Sequence, residues 1–138
     1  MRKHEITEEL INLSKLAKKL GFPQDVESGD WYGYMTYTDE IFLLAEDEML
    51  WGKETEETAT HLILSFSRCL EWIKQRGYEC WRCMDTWVHL DRLVQFDVWD
   101  DVSSKPMVME VSKTHHEAIA KAVVRILEED NDKGWIYG

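Results

Sequence analysis

The sequence predicts a single α+β domain in which an antiparallel sheet, built from two hairpins, is packed with three helices. Three segments repeat apolar residues at helical spacing, and two pairs of short β-prone segments are each separated by a turn-like gap. The expected order is α-β-β-α-β-β-(β)-α, and the helices must cover the apolar face of the sheet in a sandwich-like arrangement. The 138 residues contain no repeat or linker, so residues 1–138 are expected to form one domain.

Residues 6–20 are predicted to form the first helix. Thr7, followed by two glutamates, is a suitable start, and Gly21 and Pro23 supply a typical end. The apolar residues of this segment recur on one helical face and therefore predict which side is buried: Ile6, Leu10, Leu13, Ala17 and Leu20.

Residues 31–37 and 40–45 are predicted to pair as the first hairpin. The first of these segments is aromatic and β-prone, and the second is a short apolar run. Thr38 and Asp39 lie between them, and polar residues of this kind are typical of a turn.

A second helix is predicted at 58–76, because apolar residues there follow the spacing of a buried stripe, and Gly77 is a suitable end. The second hairpin is predicted from residues 78–88 and 93–99, with 89–92 as its turn. Apolar and polar residues alternate along 93–99, as expected for a strand with one buried face.

Residues 102–113 are compatible with a further edge strand that begins after Pro106. Thr114, with Glu117 three residues later, has the pattern of a capping box and predicts the start of the last helix. The tail at 135–137 is apolar, and it either folds back onto the domain or contacts a partner.

The chain carries 16 basic and 27 acidic residues, which gives a net charge of −11. Binding to nucleic acid or to an anionic membrane needs clustered Lys and Arg, so neither is expected as a direct partner. No apolar run is long enough to cross a bilayer. Three cysteines, an odd number, fit reduced thiols, and a cytoplasm is the expected location.

The acidity is concentrated in residues 21–60, which contain eleven acids and one base. Aromatic residues are interleaved with these acids, and aromatics beside one sign of charge are typical of interfaces. One interpretation is a solvated face that keeps the chain soluble, and another is a binding surface for a basic protein. The residues of this candidate acidic surface are Trp31, Tyr34, Tyr37, Asp39, Glu46, Asp47, Glu48, Trp51, Glu56 and Glu57.

Cys80 and Cys83 form a CxxC motif, and such motifs occur in zinc sites and redox sites. His89 is the candidate third metal ligand. A strand here would direct the two thiols to opposite faces, so ordinary buried or half-buried cysteines are the alternative. His115 and His116 could likewise bind a metal or act as a base, or they could simply occupy the first turn of the last helix.

No motif for nucleotide binding, phosphate binding or a nucleophile elbow is present, and the seven glycines are not clustered. No catalytic residue and no cofactor is therefore predicted. These observations favour a binding protein over an enzyme.

The second half of the chain has a layout found in a family of small phage and prophage proteins. A predicted helix over 68–76 ends in Gly77 and Tyr78, Trp-rich strands follow, and the closing helix has the form Thr-x-x-Glu-Ala-Ile-x-x-Ala from residue 114. Mainly over residues 60–130, this pattern resembles the phage ABA-sandwich family. The resemblance implies an α–β sandwich of phage or prophage origin, and it carries over no catalytic residues.

The expected function is that of a phage- or prophage-type accessory protein that binds another protein, basic in charge, rather than catalysing a reaction. One alternative is an acidic inhibitor that mimics nucleic acid and occupies a host nucleic-acid-binding or defence protein. Another is a zinc-binding or redox protein that uses the CxxC motif. A homodimer closed by the Trp-rich strands or by the tail also remains open.

Overall fold

The computed structural model describes residues 1–35, 40–44, 59–100 and 105–137, with the backbone alone for 132–137. The α+β class is confirmed, because these residues form three helices and six strands. The helices are α1 (Glu8–Lys19), α2 (Phe66–Gln75) and α3 (His115–Tyr137). The strands are β1 (Trp31–Tyr34), β2 (Ile41–Leu43), β3 (Thr60–Leu62), β4 (Cys80–Val88), β5 (Asp91–Trp99) and β6 (Val108–Ser112).

The strands form two antiparallel sheets of three strands each. The first sheet has the order β2-β1-β3, and the second sheet has the order β4-β5-β6. Both predicted hairpins are therefore present, but they belong to two separate sheets. The first hairpin pairs with β3 and the second pairs with β6. The predicted turn residues Thr38 and Asp39 lie outside the described residues.

The limits of α1 are close to those predicted. The Oγ1 atom of Thr7 accepts a hydrogen bond from the backbone N–H of Leu10 at 3.2 Å, so Thr7 caps the helix. Gly21 follows the helix with a φ of 103°, a left-handed conformation that glycine adopts at little cost.

The predicted helix at 58–76 is wrong in its first part, because residues 60–62 form β3 and pair with β1. A short apolar run fits a helix or a buried strand equally well by its spacing, so pairing with β1 decided the outcome. Ser65 then caps α2, since its Oγ atom accepts from the backbone N–H of Arg68 at 3.3 Å. Gly77, with a φ of 93°, ends the helix as predicted.

The second hairpin has a tighter turn than predicted. Instead of residues 89–92, the turn contains only His89 and Leu90, with φ values of 50° and 72°. Val88 pairs directly with Asp91. Two positive φ values define a type I′ turn, whose twist matches that of the flanking strands. The further edge strand is present as β6 and pairs with β5.

Thr114 caps α3 as predicted, but Glu117 has partners other than a capping box requires. The Oγ1 atom of Thr114 accepts from the backbone N–H of Glu117 at 3.2 Å. The buried carboxylate of Glu117 accepts hydrogen bonds from Ser112 Oγ at 2.9 Å and from Thr7 Oγ1. Glu117 therefore joins the start of α3 to β6 and to the cap of α1.

The helix α3 runs to Tyr137, so the tail at 135–137 is helical and does not fold back. This helix contacts α1, α2, β5 and β6 and lies at the centre of the core. The core contains buried side chains from each part of the fold, including Leu10, Leu64, Ile73, Phe96 and Ile119. Within the described ranges, no helix is long and apolar enough to cross a membrane.

Candidate functional site

The β4–β5 hairpin extends beyond the rest of the second sheet. β4 and β5 pair without interruption along all nine residues of each strand. β6, in contrast, pairs only with residues 94–98 of β5. Residues 86–93 therefore form a two-stranded ribbon, a structure that is marginally stable unless a larger sheet supports its base.

The two faces of the second sheet differ in what covers them. On the inner face, Phe66 of α2 packs on Trp81 and Phe96, with ring centroids 6.0 and 5.9 Å apart. Glu110 lies on this inner face too, because it is directly opposite Phe96 in the sheet. It forms an ion pair with Arg125 of α3 at 3.7 Å. The outer face carries partly exposed apolar side chains: Met84, Val88 and Met109.

Large apolar side chains that face solvent are concentrated on this sheet. Among the described residues nine such side chains are exposed, and six of them belong to β4, β6 or the hairpin turn. Trp87 and Leu90 are the most exposed, at 69% and 93%. Full burial of such a side chain is worth about 2 kcal/mol, so a partner would gain from covering them. These six residues are called the ribbon surface, which has two sides that meet at Leu90 in the turn: Trp81 and Trp87 lie on the inner face, and Met84, Val88 and Met109 lie on the outer face.

A buried carboxylate lies in the middle of the outer face. The side chain of Asp97 is fully buried and accepts hydrogen bonds from Arg82 Nη2 at 3.0 Å and from Gln95 Nε2 at 3.0 and 3.1 Å. The Arg82 guanidinium also lies 5.3 Å from the centre of the Trp99 ring, a cation–π distance. The outer face thus presents apolar groups around a neutralised ion pair.

Glu5, His115 and His116 each bring one ligand atom within 4.8 Å of the others, as no other trio does in the described ranges. The hydrogen bonds of His116 argue against a metal here. Its Nδ1 lies 2.9 Å from the backbone nitrogen of Phe66, and because that N–H can only donate, Nδ1 accepts. The proton of the neutral ring is then on Nε2, which donates to Glu5 Oε2 at 3.1 Å. A ligand needs a free lone pair, so His116 does not fit a metal in this arrangement.

His116 has a structural role that explains its burial. Burial lowers the pKa of His116, and electrostatic interaction with the adjacent His115 lowers it further. The ring must stay neutral to accept the N–H of Phe66, one of the amides that the first turn of α2 leaves without a helical partner. His116 therefore caps α2 from a neighbouring helix.

A cleft of about 250 Å³ lies beside His116. Asp30 in its wall pairs with Arg68, and Ser65 caps α2. Both nitrogens of His116 are engaged as well. The side chains of Asp30, Ser65 and His116 are thus engaged by structural partners. They do not place a general base beside a free nucleophile.

Most of the candidate acidic surface lies outside the described residues: Tyr37, Asp39, Glu46, Asp47, Glu48, Trp51, Glu56 and Glu57. The structure places Trp31 and Tyr34 on β1, three residues apart and so on opposite faces. The Trp31 indole N–H donates to the backbone oxygen of Met1 at 2.9 Å. Tyr34 packs against Phe42, with ring centroids 5.7 Å apart. These two residues therefore do not share one surface.

The structure does not bring Cys80, Cys83 and His89 together. The cysteines lie three residues apart on β4 and so on opposite faces of the sheet, and His89 is in the turn at the far end of the strand. Burial raises the pKa of the Cys83 thiol, and the negative charge of Asp85 raises it further. A reactive thiolate needs the opposite shift.

Sequence reasoning missed the ribbon surface and the burial of Asp97. The alternation of Val94, Phe96 and Val98 correctly marks one face of β5 as apolar, but it predicts solvent on the side of Asp97. The signal that could have found the pair is Arg82 on β4, an opposite charge that the hairpin register places directly across from Asp97.

No family model, curated protein or solved structure matches the chain. The resemblance to the phage ABA-sandwich family therefore stays a prediction.

Proposed function

We propose that the chain is an accessory protein of the phage or prophage type that binds another protein through the ribbon surface rather than catalysing a reaction. The exposure of Trp87 and Leu90 at the end of the β4–β5 hairpin carries this proposal. Exposed apolar groups that cluster on one element, rather than being scattered singly, are typical of interaction sites.

The chemistry of the ribbon surface suits a partner that is apolar at the contact. Tryptophan is among the residues that most often dominate binding energy, and Trp87 would supply such an anchor. On the outer face, the ion pair of Arg82 and Asp97 is already neutralised within the sheet, so a partner that covers Met84, Val88 and Met109 leaves no unpaired charge there. The net charge of −11 attracts a partner that is basic around that contact.

The cleft beside His116 supports binding over catalysis. A general base needs a free nitrogen or oxygen within reach of the proton that it removes. His116 uses both of its nitrogens to hold Glu5 and Phe66, and Asp30 is paired with Arg68.

Site-specific photo-crosslinking in host cells tests the proposal. A photoreactive amino acid is placed at Leu90 in one variant and at Leu16, an exposed leucine of α1, in the matched control. We expect a discrete adduct with one host or phage protein from position 90 and none from position 16. The same adducts from both positions, or none from position 90, would refute binding through the ribbon surface.

A further inference from the structure

The strand β4 leaves the longest open edge in the described part of the chain. It lies at one end of the second sheet and has nine residues, whereas the edge strands β2 and β3 have three each and β6 has five. Proteins usually protect such an edge with lysine, proline or a β-bulge. β4 contains neither lysine nor proline, and it pairs with β5 without a bulge.

The hairpin turn decides which backbone groups face the open edge. In a two-residue turn the flanking residues, here Val88 and Asp91, form a hydrogen-bonded pair. Hydrogen-bonded residues alternate along an antiparallel strand, so the even-numbered residues of β4 direct their N–H and C=O groups towards β5. The residues that direct theirs towards the edge are Trp81, Cys83, Asp85 and Trp87.

We infer that β4 pairs antiparallel with β4 of a second copy of this chain, with Met84 on the two-fold axis, and so forms a continuous six-stranded sheet. This inference goes beyond the proposed function, because it concerns the open backbone edge of β4 and a second copy of the chain, although it engages Trp81 and Trp87 of the ribbon surface. An isologous contact of this kind closes after two copies and does not propagate.

The sequence of β4 selects this register. Pairing around Met84 engages all nine residues of β4 in each copy and places Trp81 opposite Trp87 of the second copy. The two-fold symmetry creates two such tryptophan pairs. Aromatic pairs across strands are stabilising. Pairing around Arg82 or Asp85 would instead set like charges against each other, and pairing around Cys83 would lose both tryptophan pairs.

Charge also favours a second copy at this edge. The chain as a whole repels another copy because its net charge is −11. β4 contains only Arg82 and Asp85 as charged residues, so its own charge sums to zero. Asp97 neutralises Arg82 at 3.0 Å, and Arg92 pairs with Asp85. The two β4 edges can therefore approach without an uncompensated charge on either side.

Sedimentation equilibrium of the full chain tests the pairing. We expect a concentration-dependent species of twice the 16.4 kDa chain mass. Met84→Lys should weaken this dimer at least tenfold, because it places two ammonium groups opposite each other on the axis. Met109→Lys is the matched control, since Met109 is an exposed methionine on the same face at the other edge, and it should leave the dimer unchanged. A wild-type chain that stays monomeric at its highest soluble concentration would overturn the inference, as would a dimer lost only with Met109→Lys.

A disulfide test does not depend on the lysine variants folding. In a Cys80→Ser, Cys83→Ser background, Met84→Cys should oxidise to a covalent dimer and Met109→Cys should not. Met84 would face its own copy at a non-hydrogen-bonded position, where Cα atoms are about 4.5 Å apart, within reach of a disulfide. Failure of Met84→Cys to cross-link would overturn the register. Crosslinking of another protein at Leu90 is a separate readout, so either proposal can fail while the other stands.

Discussion

Acidification should destabilise the fold through His61, a buried histidine of β3. Its side chain is 1% exposed, and its Nε2 is the one buried side-chain nitrogen or oxygen in the described ranges without a hydrogen-bond partner. Burial, together with the positive charges of Lys15 and Lys18, lowers the pKa of His61 from 6.5 to about 4. The folded state therefore holds the ring neutral at a pH where the unfolded chain binds a proton.

The sign and size of the effect follow from this difference. Above pH 6.5 His61 is neutral in both states and does not affect stability. Between pH 6.5 and about 4 the unfolded state takes up a proton that the folded state excludes, so the free energy of unfolding falls as the pH falls. At about 1.4 kcal/mol per pH unit, the loss reaches about 3 kcal/mol at pH 4.

Urea unfolding of wild type and His61→Leu at pH 7 and pH 4 measures this loss. The variant cannot titrate at this position, so its stability relative to wild type should rise by about 3 kcal/mol between the two pH values. Leu62→Met is the control, because it changes a buried residue of the same strand and adds no titrating group. Its stability difference from wild type should be the same at pH 7 and at pH 4. A change below about 1 kcal/mol in the His61→Leu comparison would refute the reasoning.

Two further predictions concern contacts within the sheets. Gly33→Ala should lower the free energy of unfolding by about 2 kcal/mol, because the added Cβ would lie 2.8 Å from His61 Nε2; an unchanged urea midpoint would contradict this close packing. Arg82→Met should cost about 3 kcal/mol in chemical denaturation, since it leaves the fully buried Asp97 carboxylate without its cation. Arg92→Met removes an exposed ion pair of the same hairpin and should cost under about 1 kcal/mol; equal losses in the two variants would show that burial of Asp97 is not the cause.

The elements with local signals could be predicted from the sequence. The start of α1 at Thr7 and the ends of α1 and α2 at Gly21 and Gly77 depend on capping and on glycine conformation, which neighbouring residues determine. β3 could not be predicted in this way, because residues 60–62 become a strand only by pairing with β1, some 30 residues away.

The candidate site was predictable in outline only. Alternation along 93–99 placed the second hairpin, but the exposure of Trp87 depends on where β6 ends and which face the helices cover. Those are tertiary facts that no local pattern encodes. Eight of the ten residues of the candidate acidic surface lie outside the described residues, so that interpretation stays a prediction.

The cap that His116 places on α2 has a consequence for how the chain folds. Its ring joins Phe66, 50 residues away, to Glu5, 111 residues away. The first turn of α2 is therefore incomplete until α3 has docked, and Glu5 lacks its hydrogen bond to His116 without α3. Bringing such distant segments together costs chain entropy before their contacts stabilise the fold. This cost slows folding. We expect both halves of the chain to fold and unfold in one transition, because the docking of α3 completes the structure.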